Sequence, residues 1–372
     1  MPARIVGAAE SPYSRHPTDG VTTERLLADA FLRVLADAGI EWNAVDGLGV
    51  ASFTLAPDRA VDLAWRLGLR VRWLMDDGNG GASGIQLLEH AVRAIEAGDA
   101  TTIALLAGDR FDRDSFRRLV DTYNRATVKH LAPIPTGGPN ALFAMLTTAH
   151  MERHGLERAD YGRLVVQQRR AAGLNPGAVY RAPLTIEEYL AAPVVAPPLH
   201  RYDCVPVVSG ADALLVSGTS DGVSLRAFRA LHNVDGQEGD GLRTGLAEVA
   251  PGLWDQAAAG PADMDVVCVY DDYPAMALVQ LTYLGFVVDD DVRRFVHDEL
   301  GALALNTSGG QLSAGQAGAA GGMHGLVEAV MQLRGRAGAR QVERPRLAVV
   351  SGYGMVLYRY GACANAVVLE AP

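Results

Sequence analysis

Asp76-Asp77-Gly78-Asn79-Gly80-Gly81-Ala82-Ser83-Gly84-Ile85-Gln86 contains four glycines and no cysteine, and position 81 has no side chain to offer. Outward from it, residues 84–97 place apolar side chains at helical spacing until Gly98 supplies a C-terminal stop. The apolar run over residues 102–107 then suits a central strand covered on both faces. Upstream, the pattern predicts a strand over 4–8, a helix over 23–38, a strand over 47–52 and a helix over 60–67. Such alternation predicts a layered α/β domain.

Residues 111–198 break the alternation with helical stretches over 141–154 and 158–172, followed by a Pro-rich passage, and read as an insertion or lid. Strand-like runs over 211–216, 266–270, 347–351 and 364–369 then combine with helices over 275–284, 290–299 and 325–335. The expected organisation is a first half made of 1–110 and 199–230, an insertion over 111–198, and a second half over 231–372. The two halves share a pattern of elements, which suggests a structural duplication, although no sequence repeat is visible.

The 372 residues, 49% hydrophobic and 20% charged, are enough for two cores. A formal charge of −10 argues against a nucleic-acid partner, although a nucleotide-like anion such as coenzyme A remains compatible. Cys204, Cys268 and Cys363 are far apart, so the spacing encodes neither a disulfide framework nor a zinc site, and each reads as a small buried hydrophobe. His150 and His154 are four apart, but Met151-Glu152-Arg153 between them is not a zinc-protease pattern, and no metal-binding set is expected. The sequence lacks an apolar run of the ~20 residues a membrane span needs and has no signal-like start, so a cytoplasmic location is expected by exclusion.

Several ordered segments resemble the thiolase superfamily, in particular the sterol-carrier-protein-type thiolases and their aldolase-like relatives. They include Ser83-Gly84-Ile85-Gln86, Phe143-Ala144-Met145-Leu146, Arg169-Arg170-Ala171-Ala172-Gly173-Leu174-Asn175-Pro176, Pro183-Leu184-Thr185-Ile186-Glu187-Glu188-Tyr189-Leu190, and Ser209-Gly210-Ala211-Asp212-Ala213. The resemblance implies an α/β fold of five layers, α-β-α-β-α, with two halves about a pseudo-twofold axis, and usually a dimer. It puts Gly81 where a thiolase carries its nucleophilic cysteine. Acyl transfer through a covalent thioester needs a thiolate there, so ordinary thiolysis is not expected. Where relatives have His-Asp-Cys-Phe or Asn-Glu-Ala-Phe, this chain reads Tyr270-Asp271-Asp272-Tyr273; their Gly-His-Pro becomes Gly315-Gln316-Ala317; and their acid-base cysteine region becomes Ser351-Gly352-Tyr353-Gly354.

These substitutions leave candidates for other chemistry. Tyr270, Tyr273 and Tyr353 are phenols able to give or take a proton, Asp271 and Asp272 are alternative bases, and Gln316 can polarise a carbonyl without acting as a base. Strand alternation would put Tyr270 and Asp272 on one face and Asp271 and Tyr273 on the other. His324 points either into the site or along a helix. Gly81, Ser83, Gly352 and the run Asn306-Thr307-Ser308-Gly309-Gly310 would form a cradle for the thioester, or serve tight turns alone. Arg110, Arg113, Arg117 and Arg118 meet coenzyme A phosphates or form a solvated helix face.

The resemblance implies an acyl-CoA thioester as substrate and no covalently bound cofactor. The favoured activity is retro-aldol cleavage of a β-hydroxyacyl-CoA, which needs a base and an oxyanion hole but no acyl-enzyme. Aldolase-type relatives look to one tyrosine on the segment of Tyr270 to Tyr273 and to another at the position of Gln316. The alternatives are an inactive acyl-CoA-binding scaffold, or an acyltransferase or condensing enzyme without a cysteine. A small OB-fold and zinc-ribbon protein is the implied partner, and any zinc would belong to it.

Overall fold

The computed structural model of the chain describes residues 2–131, 133–134, 138–219, 221–234, 239–357 and 360–372. In chain order the first half contains β1 (Ala3–Glu10), α1 (Thr23–Ala38), β2 (Gly47–Ala51), α2 (Arg59–Arg66), β3 (Trp73–Asp76), α3 (Ser83–Ala97) and β4 (Thr102–Asp109). The signals that bound α1 are local. The Thr22 hydroxyl accepts the Arg25 N–H at its start, and Gly39 closes it in the left-handed region at φ 65°.

Residues 113–200 carry α4 (Arg113–Thr122), α5 (Pro139–His154), α6 (Arg158–Gly173), α7 (Ile186–Leu190) and a small hairpin of β5 (Val194–Ala196) and β6 (Leu199–His200). The chain then returns through β7 (Gly210–Gly218) to the first sheet. The second half follows with β8 (Ser224–His232), α8 (Leu246–Ala257), β9 (Val266–Cys268), α9 (Pro274–Tyr283), α10 (Val292–Arg294), α11 (Gly310–Ala314), α12 (Gly321–Leu333), β10 (Leu347–Leu357) and β11 (Tyr360–Glu370). The chain leaves the first sheet between β7 and β8, so residue 230, the expected end of the first half, lies inside β8.

The duplication is visible in the strand order. The first sheet runs β1-β7-β4-β2-β3 and the second β8-β11-β10-β9. In each, the opening strand pairs antiparallel with the closing one, which pairs antiparallel with a strand that is parallel to the next. A parallel bridge from Val267 to Leu305 continues the second sheet where β3 continues the first.

Three cores define five layers. One face of the first sheet packs Leu48, Val50, Leu106 and Leu215 against Leu27, Phe31 and Val34 of α1 and Leu63 of α2. Between the sheets, Ile85 and Leu88 of α3 and Met323, Leu326 and Val330 of α12 meet Ile103, Leu105, Val350 and Val367. Beyond the second sheet, Leu253 of α8, Leu278 and Leu281 of α9 and Leu164 of α6 cover Val267, Val349 and Val368. The two central helices touch at their starts: a Cβ on Gly84 would lie 2.2 Å from the Gly322 carbonyl oxygen, so only glycine allows this approach.

Two expectations are corrected. The helix expected over 290–299 is one turn of α10 followed by a π-helical turn, Phe295–Glu299. The strand expected over 266–270 stops at Cys268 because Asn306 takes over its edge: Asn306 Oδ1 accepts the Val269 N–H at 2.9 Å, and Nδ2 donates to the Val269 carbonyl at 3.2 Å. No helix among the described residues is long and apolar enough to cross a membrane.

Candidate active site

Because β9 ends early, Tyr270 to Tyr273 form a loop and do not alternate as strand residues would. Gln280 of α9 grips the main chain of Tyr270, donating to its carbonyl at 2.6 Å and accepting its N–H at 3.2 Å, and Ser351 fixes Gln280 in turn at 2.8 Å. The Tyr270 ring is thereby set against Gly81. A Cβ at position 81 would lie 2.3 Å from Tyr270 Cε2 and 2.2 Å from the Tyr353 carbonyl oxygen. The phenol fills the space that a side chain at 81 would need.

Gln316 is held by a short parallel bridge to Val207. Its amide nitrogen donates to the Tyr270 hydroxyl at 3.0 Å and to Gln311 Oε1 at 3.0 Å. Both of its N–H groups are therefore used, and Gln316 orients a phenol where the sequence suggested that it would polarise a carbonyl. The Tyr270 oxygen accepts this bond and keeps its own proton for another acceptor. Burial, reinforced by the Asp272 charge, holds the Tyr270 hydroxyl well above the usual phenol range.

Tyr270, Asp272 and Tyr273 all line one cavity of about 750 Å³. Asp272 is held well above the ordinary carboxyl range by burial and then by the Asp271 charge, which main-chain N–H groups, including that of Tyr273 at 3.0 Å, only partly offset. Tyr273 stacks on Phe143 at 4.1 Å between ring centroids and donates its hydroxyl proton to Asn140 Oδ1 at 2.7 Å. Asp271 turns the other way, accepting from Gln168 Nε2 at 3.0 Å and the Gln311 N–H at 2.9 Å; burial still pushes its carboxyl up to about 6.

The other wall of the cavity comes from Phe53, Phe111 and side chains of residues 113–143, including Phe116, Leu119, Tyr123 and Phe143. Arg113 and Arg117 line it too, whereas Arg110 pairs with Asp112. Asp109, at the end of β4, joins two stretches of this wall. Its Oδ1 accepts the N–H groups of Phe53 at 2.8 Å and Thr54 at 2.7 Å, and its Oδ2 that of Ala319 at 2.8 Å, beside Gly318.

Of the residues expected from the sequence, Gly81, Tyr270, Asp272, Tyr273 and Gln316 meet at the cavity. Ser83 does not reach it; its hydroxyl donates to Asp77 Oδ1 at 2.5 Å within the turn before α3. Asn306 is the clamp on Val269, and Ser308 faces His324 at 2.8 Å. Gly309 and Gly310, at φ 99° and 60°, pack against Ala172 and Asp271, so this run serves a tight turn. Gly352 packs on the Gly81 carbonyl oxygen, and the Tyr353 ring covers Gly361. His324 is buried in a separate cluster with Glu10 and Tyr13. Cys204, expected to be a buried hydrophobe, lines the cavity, and burial pushes its thiol up to about 12. Asn140, Tyr123 and Phe53 carried no local motif and become visible only when the chain is folded.

Fold and cavity together define a thiolase-type protein whose site is built from phenols, a carboxyl and a carboxamide. A family described as thiolase C-terminal domain-like matches residues 230–366. The 17-hydroxy-3-oxo-4-pregnene-20-carboxyl-CoA lyase of Mycobacterium tuberculosis is 30% identical over 90% of this chain and 92% of its own length. The steroid side-chain-cleaving aldolase of Thermomonospora curvata is 28% identical over 95% of both chains. A solved Ltp2-ChsH2(DUF35) aldolase superposes with a TM-score of 0.84 at 24% identity, covering 100% of this chain and 98% of that one. The chain belongs to the thiolase superfamily, in its aldolase branch.

Proposed function

We propose that this protein is an acyl-CoA carbon–carbon lyase that cleaves a β-hydroxyacyl-CoA by retro-aldol chemistry, with Asp272 as base and Tyr270 as proton-bearing donor. The observation that carries the reading is the shared volume of Gly81 and Tyr270: the place of a side chain at 81 is filled by an oriented phenol, with a carboxyl in the same cavity. A carboxylate whose affinity for a proton is raised by burial is a stronger base than an exposed one. It takes the β-hydroxyl proton; the oxygen's electrons form the new C=O as the Cα–Cβ bond breaks; the electron pair passes into the thioester as an enolate. Tyr270, neutral because of burial, donates a hydrogen bond to the oxygen that carries the developing charge. Return of the proton to Cα gives a ketone or aldehyde and a shorter acyl-CoA, without free CoA.

The named relatives are a lyase of a 17-hydroxy-3-oxo-4-pregnene-20-carboxyl-CoA and a steroid side-chain-cleaving aldolase. The aromatic and aliphatic wall of the cavity fits a bulky apolar acyl group of that class, within the ~300–1,000 Å³ of ordinary ligand sites. Coenzyme A would enter beside Arg113 and Arg117. The working assembly in this reading is a homodimer with a small OB-fold and zinc-ribbon partner; the two-component name of the aldolase that superposes on this chain favours the presence of a partner.

The test is incubation of the chain, alone and with such a partner, with β-hydroxyacyl-CoA and β-ketoacyl-CoA esters, with and without free CoA. Ketone or aldehyde release from a hydroxyacyl-CoA without free CoA is the expected result. Cleavage only of ketoacyl esters, and only with free CoA, would overturn it; no turnover under any condition would make the chain a scaffold.

A further inference from the structure

Glu10 and Asp212 are direct cross-strand partners where β1 pairs with β7, and both carboxyls meet His324 of α12. Two acids side by side on a sheet repel each other. Here Asp212 is also fully withdrawn from water, while Glu10 is half-buried. Tyr13 donates its hydroxyl proton to Asp212 Oδ1 at 2.8 Å, but Asp212 Oδ2 has no hydrogen-bond partner among the described residues. A buried carboxyl oxygen left so is costly. It faces His324 Nδ1 at 4.0 Å, and Glu10 Oε1 lies 3.1 Å from the same nitrogen.

We propose that Glu10, Asp212 and His324 bind a first-row divalent cation. The donor atoms Glu10 Oε1, Asp212 Oδ2 and His324 Nδ1 all lie within 4.8 Å of one another. Bonds of ~2.0–2.2 Å to such an ion place neighbouring donors ~3.0–3.5 Å apart, so a small rotation of the Asp212 carboxyl closes the set. Two carboxylates with one imidazole favour Mn²⁺ or Zn²⁺ over Mg²⁺ or Ca²⁺. Both internal ligands already have the outer partners that such sites use. Tyr13 holds the second oxygen of Asp212, and Ser308 Oγ lies 2.8 Å from His324 Nε2, which fixes the ring with Nδ1 toward the carboxyls. The Glu10 side chain is 19% exposed, which gives the ion a path from solvent and room for water ligands. The three residues lie on three elements far apart in sequence, so no spacing rule reveals them. A bound ion would tie β1 and β7 to the central helix layer and, through Ser308, steady the turn whose next residues hold Asp271.

This inference does not depend on the proposed reaction. Untagged protein freed of metal by EDTA and dialysis is titrated with Mn²⁺ and followed by electron paramagnetic resonance, with parallel thermal melts in Zn²⁺, Mn²⁺ and Mg²⁺. The expected result is one tight equivalent of Mn²⁺ per chain and a rise in Tm with Mn²⁺ or Zn²⁺ that exceeds any with Mg²⁺, both lost in Asp212→Asn and Glu10→Gln. Glu10→Gln, at the more exposed ligand, keeps the test available if Asp212→Asn fails to fold. No bound Mn²⁺ and no change in Tm would overturn the proposal and leave a proton-held network in which Glu10 pairs with a protonated His324. Binding that persists in both variants would overturn it equally.

Discussion

Gly81 and Tyr270 cannot both carry a side chain into the same space, and the catalytic consequences follow from that exclusion. Tyr270→Phe keeps the ring that packs on Gly81 and removes only the proton, so kcat should fall by roughly 10²–10³ with KM little changed. Asp272→Asn removes the proposed base, and a loss of roughly 10²–10⁴ is expected. Turnover of a hydroxyacyl-CoA is the measurement for both, and wild-type rates in either variant would remove that residue from the mechanism. Gly81→Ala should cost about 1–3 kcal/mol of stability in denaturant unfolding, because the new Cβ strikes both the Tyr270 ring and the Tyr353 carbonyl. Adding Tyr270→Ala should recover only part of the loss, since the Tyr353 contact is main chain. Full recovery would place the conflict with the phenol alone.

At the scale of elements, the site is built where strands stop. Asp109 at the end of β4 and Asp271 after β9 each accept several N–H groups, yet burial raises both from 3.8 to about 6. Between those values the folded chain holds protons that the unfolded chain has released. Their contribution to stability is therefore full below about pH 4 and is lost as the pH rises through about 6, a fall on the order of 1–3 kcal/mol for each. Unfolding free energies measured from pH 4 to 7 should show this downward component, and Asp271→Asn should flatten it whatever the variant's absolute stability; an unchanged slope would count against the assignment. The same junctions limit what the sequence reveals. Helical periodicity and caps locate α1, α3 and α6 closely, and the thiolase-like motifs bring Gly81, Tyr270, Asp272, Tyr273 and Gln316 to one place. Alternation misplaced Tyr273 because Asn306, nearly forty positions away, ends the strand at Cys268. β8 escapes a pattern reading because Arg226 and Arg229 interrupt a half-buried strand, and α8 because Pro251 lies inside it. The cavity wall from α4 and α5 depends on packing that no local spacing encodes.

For the whole molecule, the duplicated strand order leaves one unequal edge. The first sheet ends at β3, four residues long and paired only with β2 among the described residues. Leu74 on β3 is 41% exposed, and Trp65 on the neighbouring α2 is 76% exposed. A short edge strand beside uncovered apolar side chains invites pairing with another chain, and a second copy related by a twofold axis would set β3 against β3 and cover both residues. Sedimentation or light scattering should then give twice the 39.4 kDa of one chain. Leu74→Lys, which puts a charge on that edge without touching the cavity, should shift the mass toward a single chain while circular dichroism stays unchanged. A wild-type chain that sediments as a monomer would reject the twofold pairing. If it became larger only with the small partner protein present, β3 and Trp65 would instead be candidates for the partner's surface, and Leu74→Lys would then be read for loss of that complex and of the turnover that depends on it.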